Sequence, residues 1–203
     1  TGTGKTTMGM HFLQQGMKEG ENCIWVALEE SVSQLKKVAR QRNWELEELE
    51  KKGKITFIET TLLDVDPDKL LYDIIEAIDK NKVQRVVFDS ISSLESATLG
   101  KDEVRQFLIQ LTSAFKTRGV TCVLNYLTSE IFGASDGQLL GEVTSNKMRL
   151  SSIVDGVILL RYHEHEKGVE KMMTTLKLRG SSHDRGIFKY DLVDNGINIE
   201  KKI

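Results

Sequence analysis

Thr1-Gly2-Thr3-Gly4-Lys5-Thr6-Thr7 opens the chain, and it reads as the C-terminal part of a G-x-x-x-x-G-K-[ST] loop whose first glycine would precede residue 1. Phosphate chemistry asks for these residue types at this spacing. Glycines let successive backbone N–H groups wrap a phosphate, and the helix that follows presents the positive end of its dipole. An ammonium then neutralises β/γ-phosphate charge, and the hydroxyl after it is a hard ligand for Mg2+. On this reading Gly2, Thr3, Gly4, Lys5, Thr6 and Thr7 bind a nucleoside triphosphate, with Thr6 on the metal. A plain Gly-rich turn is the bland alternative. Against it stands the context: Met8, Phe12 and Leu13 share one face of a following helix, and an apolar run begins at Cys23. The domain's first strand is expected upstream, together with the missing glycine.

Working outward, apolar runs alternate with helical patterns. Cys23 to Leu28, Ile55 to Ile58, Arg85 to Asp89 and Val120 to Tyr126 read as strands. Between them, Leu70, Leu71, Ile74, Ile75 and Ile78 share a face of a helix opened by Pro67, and Val104, Phe107, Leu108, Leu111 and Phe115 share a face of another. Strands this apolar, separated by helices, imply a parallel sheet buried on both faces: a doubly wound α/β core. From about Gly156 the pattern changes. Val157 to Tyr162, Met172 to Leu178, Ile187 to Leu192 and Ile197 to Ile199, with turn signals at Lys167-Gly168 and Asn195-Gly196, read as antiparallel strands extending the sheet. Residues 1–203 are read as one domain, because the single proline and the lack of a Gly/Ser-rich stretch leave no linker.

Composition narrows the function classes. The 28 basic and 30 acidic residues are well mixed, so no field favours nucleic acid or an anionic membrane. No apolar stretch approaches the ~20 residues that cross a bilayer, and no signal-peptide pattern opens the chain; the expectation is a cytoplasmic protein. Cys23 and Cys122 lie in apolar runs outside any CxxC pair and read as buried free thiols. His11, His163, His165 and His183 lack metal-ligand spacing, and His163-x-His165 reads as a solvated hairpin tip.

Two strand ends carry acids. Asp89 closes Arg85-Val86-Val87-Phe88-Asp89 at the carboxyl edge of the sheet, where open α/β folds place ligands, and is the candidate second anchor for Mg2+. Glu29 and Glu30 follow Trp25-Val26-Ala27-Leu28 directly before a helix. Either can orient or deprotonate an attacking hydroxyl or water, Glu29 being favoured because it is nearer the strand end, and Glu29 also borders the metal. Acids here also satisfy a helix dipole, and an Asp after a strand also caps a turn.

Together these motifs resemble the KaiC family of RecA-type ATPases over essentially the whole chain. The similarity extends to Leu28-Glu29-Glu30-Ser31, to Phe88-Asp89-Ser90-Ile91-Ser92-Ser93-Leu94, and most specifically to Lys177-Leu178-Arg179-Gly180-Ser181-Ser182-His183-Asp184. The resemblance implies a RecA-like core, ATP and Mg2+ as cofactors, and a homo-oligomeric ring, a hexamer, with ATP at each interface. It implies that Lys177, Leu178, Arg179, Gly180 and Ser181 reach a neighbour's nucleotide, and that Lys171, Leu192 and Asp194 help hold base and sugar. The physics agrees for the cations: Lys177 and Arg179, one residue apart on an extended strand, project to the same side. Without the resemblance, solvated residues guarding an exposed strand would be the favoured explanation.

Leu150-Ser151-Ser152-Ile153-Val154-Asp155 lies where the family's C-terminal ATPase domain carries neighbouring phosphosites, so Ser151 and Ser152 are candidate acceptors for autophosphorylation. Plain hydrolysis of ATP remains open beside it, as does an ATP-gated scaffold for partner proteins, including regulators of the KaiB type. A DNA-dependent ATPase of the same fold would need a basic channel loop. The segment from Thr128 to Gly137 is acidic and rich in small residues instead.

Overall fold

The computed structural model describes residues 2–60, 65–96, 101–127, 150–165, 168–194 and 196–202. Thr1, Lys167, Asn195 and the acidic segment 128–137 fall outside the described residues. Helix α1 (Lys5–Lys18) leads to strand β1 (Asn22–Ala27), followed by α2 (Val32–Gln41), α3 (Leu46–Lys51), β2 (Ile55–Glu59), α4 (Pro67–Asn81), β3 (Val83–Asp89), α5 (Ile91–Ser96), α6 (Lys101–Arg118) and β4 (Thr121–Leu124). Among the described residues the four strands pair in parallel in the order β2-β1-β3-β4.

The expected two-faced burial is visible strand by strand. Ile24, Val26 and Leu28 join Val86 and Phe88 in a core layer with Leu70, Ile74 and Ile78 of α4 and Phe107, Leu108 and Leu111 of α6. The alternate residues Cys23, Trp25 and Ala27, with Val87, face Met10, Leu13 and Met17 of α1 and Leu35 of α2. Successive strand residues point to opposite faces, so both sets must be apolar. Each fully buried side chain of this kind contributes roughly 1.5–3 kcal/mol. Local signals set the helix between β2 and β3: Asp66 accepts the N–H groups of Asp68 and Lys69, Pro67 occupies the first turn, and Lys82 ends α4 at a left-handed φ of 49°.

The second half comprises α7 (Leu150–Ile153), β5 (Gly156–His165), β6 (Gly168–Leu178), β7 (Ile187–Val193) and β8 (Gly196–Lys202). The antiparallel strands expected there are present. Among the described residues they hydrogen-bond as a four-stranded sheet of their own, β5-β6-β7-β8. This sheet packs on α1: a Cβ on Gly196, which opens β8, would sit 2.9 Å from the ring of His11, midway along that helix.

Candidate nucleotide site at the carboxyl edge of the parallel sheet

Strand register assembles the site. Ala27 pairs with Asp89, and Phe88 pairs with Leu124, so Leu28-Glu29-Glu30, Asp89-Ser90 and Asn125 emerge side by side at the carboxyl ends of β1, β3 and β4. Helix α1 starts at the same edge. The Thr6 hydroxyl donates to Asp89 Oδ2 at 2.6 Å, and Asn125 Nδ2 donates to Oδ1 at 3.0 Å. The Asp89 side chain is buried. Burial pushes its carboxyl above the ordinary range, opposed by the hydrogen bonds from Thr6 and Asn125; the Glu29 carboxylate adds to the rise and the Lys5 ammonium opposes it. The Thr6 and Asp89 oxygens are a hard donor pair that suits Mg2+, an ion that takes one or two protein oxygens and completes its shell with phosphates and water. Among the described residues no group of three His, Cys, Asp or Glu side chains forms a metal cluster.

The loop itself is shaped for an anion. Gly4 caps α1 at φ 93° and no side chain bonds back to the first turn, which leaves that turn's N–H groups to a ligand. Gly2 also has a positive φ, 78°. Both are closely backed by the antiparallel sheet: a Cβ on Gly2 would sit 2.7 Å from the Tyr162 hydroxyl, and one on Gly4 2.6 Å from Leu192 Cδ2. The buried Tyr190 donates its hydroxyl to the Thr3 carbonyl at 2.5 Å. Leu192 is thus against the chain's own phosphate loop. Lys171 holds its ammonium 5.8 Å from the Tyr162 ring centre, and Asp194 is exposed just beyond β7.

Glu29 and Glu30 follow β1 as an exposed turn. The Leu28 and Glu29 N–H groups donate to the Asp89 carbonyl at 2.8 and 3.2 Å. Ser90, fully buried, donates to Glu29 Oε2 at 2.8 Å and lies 2.8 Å from the Ser92 hydroxyl. Partial burial, then the charges of Asp89 and Glu29, raise the Glu30 carboxyl above its ordinary range. The turn ends in a capping box, with Ser31 Oγ accepting from Gln34 N–H and Gln34 Oε1 accepting from Ser31 N–H.

Lys177 and Arg179 converge on residues 152–155 of their own chain. Lys177 Nζ donates to the Val154 carbonyl at 2.8 Å. Arg179 Nη1 donates to Asp155 Oδ1 at 2.9 Å, Nη2 to the Ser152 carbonyl at 3.4 Å, and its backbone N–H to the Asp155 carbonyl at 2.7 Å. Lys116 joins at 2.9 Å; its hydrogen bond, with the nearby Arg179 and Lys177 charges, holds the Asp155 carboxyl below the usual range. Leu178, Gly180 and Ser181 are exposed beside them, as is Ser152; the Ser151 side chain lies outside the described residues. Cys23 is buried and its thiol is pushed up to about 12 by burial, while the partly buried Cys122 is also raised by desolvation; both are free.

The family model for the KaiC ATPase matches residues 1–203. The chain belongs to the KaiC ATPase family. It is 35% identical over 99% of its length to the circadian clock protein KaiC3 of Synechocystis sp. and 32% identical over 98% to the circadian clock oscillator protein KaiC of Parathermosynechococcus lividus. It spans 38% and 35% of those two proteins. The crystal structure of a KaiC-like protein from Pyrococcus horikoshii OT3 superposes with a TM-score of 0.81 at 26% identity, covering 99% of this chain and 86% of that one. In this KaiC-family chain the fold brings Thr6, Asp89 and Glu29, singled out from the sequence, to one edge of the sheet. Asn125, Ser90, Tyr162 and Tyr190 were not singled out. Asn125 had a signal, a polar residue ending an apolar strand next to Asp89's; the tyrosines sit in strand patterns indistinguishable from packing residues.

Proposed function

We propose that this chain binds Mg-ATP at the carboxyl edge of its parallel sheet and transfers the γ-phosphoryl group either to water or to Ser151 or Ser152 within a homo-oligomeric ring, releasing ADP. The observation that carries the ATP site is the 2.6 Å contact between Thr6 and the buried Asp89, eighty-odd residues apart, beneath an uncapped helix N-terminus. Gly2, Thr3, Gly4, Lys5 and Thr7 cradle the phosphates. Thr6 and Asp89 would hold Mg2+, with Glu29 at its border; an ion held there would supply positive charge to offset that of the phosphate oxygens.

Transfer itself needs little covalent work from the protein. An oxygen nucleophile, water or a serine hydroxyl, forms a bond to the γ-phosphorus as the bond to the β–γ bridging oxygen breaks. Glu29 takes the nucleophile's proton, oriented by the Ser90 hydroxyl, and Glu30 supports its charge balance. Lys5 neutralises charge in cis. Lys177 and Arg179 of an adjoining copy act in trans on the γ-phosphoryl oxygens, a reading supported by their engagement, within one chain, with residues 152–155. Lys171, Leu192 and Asp194 contribute to the nucleotide's base and sugar environment. Residues 1–203 act as one RecA-like unit, and regulators of the KaiB type are the partner class that the family resemblance adds.

The test is incubation of the full-length protein with γ-labelled ATP and Mg2+. Label is expected on Ser151 or Ser152 by mass spectrometry and is expected to vanish in Glu29→Gln. Label that survives unchanged in a Ser151→Ala, Ser152→Ala double variant removes the autokinase reading and leaves hydrolysis.

A further inference from the structure

Tyr190 has no exposed surface, and the acceptor of its hydroxyl is the Thr3 carbonyl, 187 residues away in sequence. A buried phenol needs a partner, but core packing does not dictate that the partner be the peptide joining Thr3 to Gly4. That peptide is planar and trans, with its C=O and N–H on opposite sides. Holding the carbonyl toward Tyr190 therefore turns the Gly4 N–H away from Tyr190. The peptide is otherwise free to rotate, because flipping it changes ψ of Thr3 and φ of Gly4, and glycine accepts either sign of φ. Leu192, at 2.6 Å from where a Gly4 Cβ would stand, closes the sheet side. Burial raises the phenol above its ordinary range, which keeps the hydroxyl a donor at working pH.

We propose that Tyr190 is a positioning residue for nucleotide binding: it locks the Thr3–Gly4 peptide so that the Gly4 N–H is presented to the triphosphate, making strand β7 part of the phosphate site. The inference rests on the phosphate-loop reading above. It predicts a specific division of effects. Losing the lock lets the peptide sample orientations that do not bind, which weakens ATP binding without altering the groups that carry out transfer.

The experiment titrates the full-length protein with a fluorescent ATP analogue and Mg2+, comparing wild type with Tyr190→Phe, Lys5→Ala and Tyr126→Phe. Tyr190→Phe keeps the ring and its packing. Tyr126→Phe is the matched control, since it loses a phenol hydrogen bond to Glu95, 2.9 Å long, in which no loop residue takes part. Tyr190→Phe should raise the Kd about five- to tenfold, the worth of one hydrogen bond, raise KM in parallel and leave kcat nearly unchanged. Tyr126→Phe should lower Tm comparably and leave Kd alone. A Tyr190→Phe Kd within twofold of wild type overturns the proposal whatever its Tm, as does an equal rise in Tyr126→Phe. If Lys5→Ala abolishes binding while Tyr190→Phe binds normally, only the Tyr190 assignment fails; if Lys5→Ala binds normally, the phosphate site fails with it.

Discussion

Asp89 concentrates the conflict between stability and chemistry in one side chain. Its carboxyl is buried near Glu29 and, among the described residues, takes two donors on its oxygens, Thr6 and Asn125. A carboxyl raised in the folded state stabilises only below its unfolded value and loses that contribution as pH rises through the folded one. Above the unfolded value the buried carboxyl therefore costs the nucleotide-free protein stability, a cost that a bound cation would offset. Asp89→Asn removes the charge and keeps the shape; the Thr6 hydroxyl can reverse to accept. The nucleotide-free variant should melt above wild type, by about 3 °C for each kcal/mol relieved, and should lose the extra stabilisation that Mg-ATP gives wild type. A nucleotide-free melt below wild type would contradict this. Cys23 works at the other end of the pH scale. Its thiol stands at about 12 in the fold against ~8.5 in an unfolded chain, so its stability contribution is whole below about 8.5 and drains away as pH climbs toward 12. Urea unfolding at pH 7.5 and 10 should show a smaller alkaline loss in Cys23→Ala than in wild type.

At the scale of elements, α1 carries Lys5 and Thr6 and must lie close on the sheet to bring Thr6 to Asp89. Glycine makes that approach possible: a Cβ on Gly9 would stand 2.9 Å from Val87 Cγ1 and 3.3 Å from the Trp25 ring, both fully buried. Gly9→Leu should therefore push the helix off β3. The expected result is a loss of about 1–3 kcal/mol by denaturant unfolding together with weaker binding of a fluorescent ATP analogue, although Gly9 touches no phosphate in the reading above. Stability lost with nucleotide affinity intact would separate the helix's seating from the site. The same elements mark what sequence could and could not reveal. Strands β1 and β3 were legible because burial on two faces forces an unbroken apolar run, and α4 because Asp66-Pro67 caps a clean apolar stripe. The loop was legible because phosphate chemistry admits few residue types. The separate pairing of β5 to β8 was not, since an antiparallel strand shows its alternation and not its neighbour. Nor was the contact of Tyr190 with Thr3, because a tyrosine that packs and a tyrosine that orients a peptide leave the same mark in a strand.

For the whole molecule, the decisive question is whether one copy of the fold contains a complete site. Within the chain, Lys5, Thr6, Glu29 and Asp89 gather at one edge, while Lys177 and Arg179 are engaged with residues 152–155. If the cations serve a neighbour, each site draws on two different copies across a head-to-tail interface, and two defective proteins can repair each other. Lys5→Ala destroys the loop and spares the cations; Arg179→Ala does the reverse. Each alone should lose most ATP turnover, because an arginine acting in trans is worth orders of magnitude in phosphoryl transfer. Mixed in equal amounts and allowed to exchange subunits, they create intact sites wherever an Arg179→Ala copy supplies the loop and a Lys5→Ala copy supplies the arginine. Random assembly gives each of those choices a chance of about one half, so roughly a quarter of the sites should work, and turnover per subunit should recover toward that fraction. A site completed within one chain has no such route: every copy in the mixture remains broken, and turnover that stays at the level of the separate variants after exchange would place Arg179 in cis.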